Sequence, residues 1–140
     1  MASVTSFYPD GLLPGETVQD NNARRASAIT AKKMALAHVD RGDLMSAGPL
    51  FVAAARAGEI ESMEWAAQYC KSIGARSEAM HWFTRSAEAG IRDSMYNLAQ
   101  RYVEDGDLHE ALRWFTKASD AGDPDAHVIA GKIRRHLAGQ

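Results

Sequence analysis

Cysteine is almost absent from this chain. Cys70 is the only one in 140 residues, so no intrachain disulfide can form, which suits a reducing compartment. Long apolar runs are missing as well, and nothing approaches the roughly 18–20 residues that span a bilayer. The opening Met-Ala-Ser-Val-Thr-Ser-Phe-Tyr-Pro-Asp-Gly has neither the basic n-region nor the apolar h-region of a secretion signal. Neither sign of charge dominates. Sixteen Lys and Arg against 18 Asp and Glu leave a formal net charge of −2, without the basic excess of a nucleic-acid or membrane-surface binder. Arg24, Arg25, Lys32 and Lys33 cluster near one end and Lys132, Arg134, Arg135 and His136 near the other, with acids spread between them. The expectation is a soluble, cytoplasmic domain with no nucleic-acid and no membrane partner.

Chemical motifs are lacking too. His38, His81, His109, His127 and His136 never fall in a metal-ligand spacing with one another or with Cys70, and a zinc site needs ligands that converge on one centre. Cys70 falls on an apolar helix column, where a packed, inert thiol is expected rather than a nucleophile. There is no nucleophile elbow, no phosphate-binding P-loop and no dinucleotide-binding glycine pattern. Acidic pairs such as Glu104-Asp105 and Glu59-x-Glu61 stand at helix ends or on polar faces and are expected to be solvated. No catalytic residue, cofactor or metal is therefore expected.

What is present is a repeat. Ala-Arg-Ala-Gly at 55–58, Ala-Glu-Ala-Gly at 87–90 and Ser-Asp-Ala-Gly at 119–122 follow one another at a 32-residue step. Seven residues before each glycine stands a phenylalanine (Phe51, Phe83, Phe115), and four before that an alanine (Ala47, Ala79, Ala111). A further glycine leads each copy at Gly42, Gly74 and Gly106. Such a register belongs to stacked helical pairs, none of which can bury its apolar face without its neighbours.

Within the copies the period is helical. Met95, Leu98, Ala99 and Tyr102 share one face, as do Leu108, Ala111, Leu112, Phe115 and Ala118. Gly106 and Gly122 stop these helices, Asp107 caps the second, and Asp123-Pro124 restarts the chain with an acidic cap and a proline at the first helical position. Shifting by 32 places earlier helices at about 23–40, 44–57, 60–72 and 76–89, and a last one at about 124–138, seven in all. Pro49 should kink the second helix or delay its start. Ala75 stands where Asp43 and Asp107 cap, which weakens that helix start. Residues 1–22 form a separate segment, broken by Pro9, Gly11, Pro14 and Gly15, and Phe7, Tyr8, Leu12 and Leu13 suit either a mobile leader or a strap against the repeats.

The spacing Leu98-Ala99-x2-Tyr102-x3-Gly106-x4-Ala111-x3-Phe115-x2-Ala118 resembles that of a tetratricopeptide repeat. The joins, Gly90-Ile91-Arg92-Asp93-Ser94-Met95-Tyr96-Asn97-Leu98-Ala99 and Gly122-Asp123-Pro124-Asp125-Ala126, resemble Sel-like repeats (SLR), as does Ala111-Leu112-Arg113-Trp114-Phe115-Thr116-Lys117-Ala118. The likeness covers 23–140, although the step of 32 is shorter than the usual tetratricopeptide length of about 34, which implies a tight joint. It implies an all-α fold, a right-handed α-solenoid of antiparallel helix pairs with about three and a half repeats. Trp82 and Trp114 are expected to pack.

The resemblance also implies a surface. In this superfamily the first helix of each pair lines the concave side, which here would present Lys32, Leu36 and Val39, then Glu64, Gln68 and Lys71, then Tyr96, Gln100 and Val103, and finally Val128, Lys132 and Arg135. Such a mixture suits an extended peptide, with Tyr96 as main anchor and Lys71, Lys132 and Arg135 steering toward an acidic ligand. The carboxylate clamp known in some tetratricopeptide domains is disfavoured. Lys32 and Asn97 fit it, but Leu36, Asp125 and Ile129 do not, and Asp125 would repel a carboxylate. The expected function is protein–protein interaction, as adaptor or scaffold, with a peptide or protein partner whose identity the sequence leaves open. The alternative is a regulatory domain that modulates a catalytic partner or belongs to a larger polypeptide.

Overall fold

A computed structural model of the chain describes residues 13–140, and within them every regular element is an α-helix. In order these are α1 (Val18–Asp40), α2 (Leu44–Arg56), α3 (Ile60–Ser72), α4 (Arg76–Glu88), α5 (Arg92–Glu104), α6 (Leu108–Asp120) and α7 (Pro124–Ala138). The expected helices therefore form, with two differences. The first is that α1 starts at Val18, ahead of the expected boundary at 22/23. Thr17 and Asp20 make a capping box: the Thr17 hydroxyl accepts from the Asp20 amide and the Asp20 carboxylate accepts from the Thr17 amide, both at 3.1 Å. The chain before it turns at Pro14-Gly15, where the Glu16 amide donates to the Leu13 carbonyl at 2.9 Å and Gly15 takes φ +77°. The strap expected around Phe7, Tyr8 and Leu12 lies outside the described residues.

The second difference is Pro49. It sits inside α2 without delaying the start to Gly48-Pro49, because the Asp43 carboxylate accepts from the Ser46 amide at 3.1 Å and fixes the first turn upstream. The bond Pro49 cannot donate would have run to the carbonyl of Met45, an exposed residue where solvent can take its place.

Each of α2 through α6 has 13 residues, and the joints between them are equally uniform. Gly42, Gly58, Gly74, Gly90, Gly106 and Gly122, one every sixteen residues, all take positive φ. At the joint after α6 the Gly122 amide donates to Ser119 and the Asp123 amide to Ala118, the paired bonds that close a helix end when a left-handed residue follows the cap. The same pair recurs after α4, from Gly90 to Ala87 and from Ile91 to Ser86. Three-residue joints of this kind make the tight step that the 32-residue period implied. Asp107 and Asp123 cap the following helices through the amides of Glu110 and Ala126, while Ala75 gives α4 no side-chain cap.

The described chain forms two compact units, one ending at Ser62 and the other beginning at Met63. In the first, α1 packs on α2 around Ala28, Ala35, Ala47, Phe51, Ala54 and Ala55, all buried. In the second, α4 packs on α5, α5 on α6 and α6 on α7. There the repeat columns Ala79 and Ala111, Phe83 and Phe115 are fully enclosed. The alanines let helix axes approach, and each buried phenylalanine contributes about 1.5–3 kcal/mol. Trp82 and Trp114 pack as expected. Lys117 and Arg113 lie 4.4 and 5.0 Å from the Trp114 ring centroid, so the indole also holds two cations above an otherwise buried ring. One polar contact sits in the core of this unit. The hydroxyls of Ser86 and Ser94 meet at 2.5 Å, both buried.

Candidate functional site

The second unit carries a cleft of about 380 Å³ lined by Glu64, Gln68, Asp93, Tyr96, Asn97, Asp123 and Asp125. Three helices supply it: α3 and α5, each the first of its pair, and the last helix, α7. Glu64 and Gln68 stand four apart on α3, and Asp93, Tyr96 and Asn97 at i, i+3 and i+4 on α5, so each set shares a helix face. The start of α7 adds Asp123 and Asp125. The Ser86–Ser94 contact and the glycine joint at Gly90 hold the start of α5, whose first turn carries Asp93. Arg92, beside it, reaches within 3.9 Å of the Asp93 carboxylate.

Four of the seven lining residues are carboxylates, and none is a cation. Asp123 is occupied as the cap of α7, accepting from the Ala126 amide at 3.0 Å. Glu64 differs from the others because it stands beyond the first turn of α3 and is half-buried. Burial, and then the charge of Asp93, hold its carboxyl above the ordinary glutamate range. The four acids do not form a metal site, since among the described residues no group of three His, Cys, Asp or Glu could hold an ion. Tyr96 forms one wall while its ring edge meets Phe115, with centroids 5.3 Å apart.

The residues expected from the sequence divide into three groups. Glu64, Gln68 and Tyr96 come together in the cleft. Lys71, Gln100, Val103, Lys132 and Arg135 are exposed on α3, α5 and α7 and lie outside its lining. Lys32 belongs to the first unit, where its ammonium contacts Glu59 at 3.3 Å and also pairs with Glu61. Those carboxylates raise the Lys32 pKa, Glu61 most strongly. Glu59 is consequently no freely solvated charge. It caps α3 by accepting from the Ser62 amide at 2.7 Å and hydroxyl at 2.5 Å. Burial alone would raise its carboxyl, but the Ser62 bonds and Lys32 outweigh burial and hold it below the usual range. Glu104 and Asp105 likewise both pair with Arg76.

The charged side chains that reach the cleft are acids, whereas Lys71, Lys132 and Arg135, from which steering toward an acidic ligand was expected, lie outside its lining. Asp93, Asn97, Asp123 and Asp125 were not among the expected lining residues. A signal for two of them exists in the repeat: Glu61, Asp93 and Asp125 occupy one column of the 32-residue register, acidic in three of its four members, with Ile29 the exception.

No protein-family model matches the sequence, and no curated protein does. Solved structures do. The N-terminal domain of stress-induced protein-1 (STI-1) from C. elegans is similar at 18% identity and a TM-score of 0.63, over 80% of this chain and 98% of that one. The type III secretion chaperone SycD of Yersinia enterocolitica, in complex with a peptide of the translocator YopD, is similar at 16% identity and a TM-score of 0.55, over 79% of this chain and 88% of that one. A second SycD structure gives 16% and 0.54, over 79% and 80%. The chain has a tetratricopeptide-like fold. This all-α architecture of helix pairs is the one the repeat register implied, and the likeness extends to the fold. Among the described residues no helix is long and apolar enough to cross a membrane.

Proposed function

We propose that this tetratricopeptide-like chain is a protein-interaction module that binds an extended peptide segment along the first helices of its second unit. The cleft carries the proposal. It joins one aromatic wall, Tyr96, to two amides, Gln68 and Asn97, which can exchange hydrogen bonds with a peptide backbone. A similarly folded protein, SycD, has been seen with a peptide bound, which supports a ligand of the same kind here. Lys71, Gln100, Val103, Lys132 and Arg135, exposed on the same three helices, would flank the peptide where it leaves the cleft.

Selection of a random peptide library on the full chain tests this. Peptides should be enriched, and Gln68→Ala or Asn97→Ala should weaken their binding about fivefold to tenfold while leaving the melting temperature within a few degrees. Absence of any enriched peptide would overturn the proposal. So would binding indifferent to the cleft substitutions and abolished by changes on α4 or α6.

A further inference from the structure

We infer that the segment bound in the cleft is basic, with a lysine or arginine side chain entering between Glu64, Asp93 and Asp125. The inference rests on the peptide-binding proposal and adds the charge of the ligand to it. It starts from the distribution of charge. The whole chain is nearly neutral at −2, yet four carboxylates and no cation line this single concavity.

The acids are not all explained by the fold. Asp123 has its cap to make, and Asp93 has Arg92 at 3.9 Å. Asp93 and Asp125 stand in first helical turns, where the helix dipole favours negative charge. Glu64 has no such compensation. Among the described residues it has no ion pair and no hydrogen bond, and it faces Asp93 from a half-buried position. A cation placed between these carboxylates would relieve that repulsion, and Glu64 is the residue whose environment improves most on binding.

The form of the cation follows from geometry. The carboxylates do not converge as a metal site would, and the space among them is a cleft of about 380 Å³ rather than an ion-sized hole. A long cationic side chain fits both facts. Its methylene stem can lie along the Tyr96 ring while its head reaches the acids, and a guanidinium could pair two-pronged with a carboxylate. Lys71, Lys132 and Arg135, the side chains that would favour an acidic ligand, are not among the lining residues.

Three nonapeptides provide the test. They share a central leucine and glycine spacers and differ only in carrying lysine, glutamine or glutamate at the same three positions. Each is titrated into the isotope-labelled full chain, and amide shifts are followed. The lysine peptide should move the amides of Glu64, Asp93, Tyr96, Asn97 and Asp125, lose affinity with added salt, and bind at least about tenfold tighter than the glutamine peptide. The Asp93→Asn/Asp125→Asn double variant should weaken it about tenfold. Glu88→Gln/Asp120→Asn, which removes the same net charge from exposed sites outside the cleft, should change it less than about twofold. Equal binding of all three peptides, or preference for the glutamate version, would keep a peptide site but overturn the cation. Equal weakening by both double variants would reduce the effect to general attraction and overturn the site. No shift with any peptide would overturn the inference, while enrichment from the random library would still stand as evidence for peptide binding.

Discussion

The ring of Tyr96 meets that of Phe115 edge to face, with centroids 5.3 Å apart and planes at 81°. Phe115 is a fully buried member of the repeat's phenylalanine column, so a wall of the cleft is also a piece of the core. Tyr96→Ala is therefore expected to lower stability by about 2 kcal/mol, from lost burial and a lost aromatic pair. Tyr96→Phe keeps the ring and should stay within about 0.5 kcal/mol. Chemical denaturation of both variants checks this. If Tyr96→Ala proved neutral, the ring contact would not be part of the core.

Ser86 and Ser94 form the buried polar contact between α4 and α5. Their register equivalents one copy on are Ala118 and Ala126, both fully buried, so the fold accepts an alanine pair at the same joint. Ser86→Ala alone strands the Ser94 hydroxyl and is expected to cost about 1–2 kcal/mol. Adding Ser94→Ala should recover most of that loss. A double-mutant cycle measures the coupling, and strictly additive costs would show that the two hydroxyls are independent.

The helices and joints were legible because a solenoid repeats local chemistry. A glycine at a fixed step, an alanine and a phenylalanine at fixed offsets suffice to place α2 through α7. The start of α1 escaped because the Thr17–Asp20 box lies in a stretch marked by Pro14 and Gly15 as irregular, and one capping box is a small signal beside two helix breakers. Pro49 misled in part because a proline rule says what bond is lost, and the Asp43 cap upstream decides where the helix begins. The cleft was half legible. Its helices follow from the register, and Glu64, Gln68 and Tyr96 from the resemblance that assigns a lining to the first helices, whereas its sign depends on which side chains converge. Lys32 and Lys71 were both expected as lining cations, yet of the two only Lys32 meets two carboxylates.

Two glycines separate conformational need from mere tolerance. Gly90 takes φ +97° in the joint between α4 and α5, a conformation L side chains rarely adopt, and no helix end closes as this one does without it. Gly131 lies inside α7, where an added Cβ would meet the flexible end of Arg135 at 3.6 Å, an ordinary contact. Gly90→Ala is expected to destabilise by about 1–2 kcal/mol, and Gly131→Ala to stabilise by about 0.5–1 kcal/mol through helix propensity. Melting temperatures moving in opposite directions would bear this out. A loss at Gly131 would mean that the small residue serves close packing of α7.

Glu59 and Glu64, on the same helix joint and helix, should respond to acid with opposite signs. The Glu59 carboxyl is held below its ordinary value near 4.5, so its ionised form stabilises the folded state. That contribution is present above the unfolded value and disappears as pH falls through the lower, folded one. The Glu64 carboxyl is held above 4.5 by burial and by Asp93, so its ionised form opposes folding. That penalty applies in full above the folded value and vanishes as pH falls below about 4.5. Glu59→Gln should therefore destabilise at neutral pH, with the difference from the parent chain narrowing as pH falls below about 4.5, apart from a constant loss from the poorer cap. Glu64→Gln should stabilise at neutral pH, with the gain fading as pH approaches 4.5 from above. Urea denaturation of the three proteins between pH 3.5 and pH 8 separates the cases. If Glu64→Gln destabilised at neutral pH, its carboxylate would be making a favourable contact, and the unrelieved repulsion that argues for a cationic ligand would be absent.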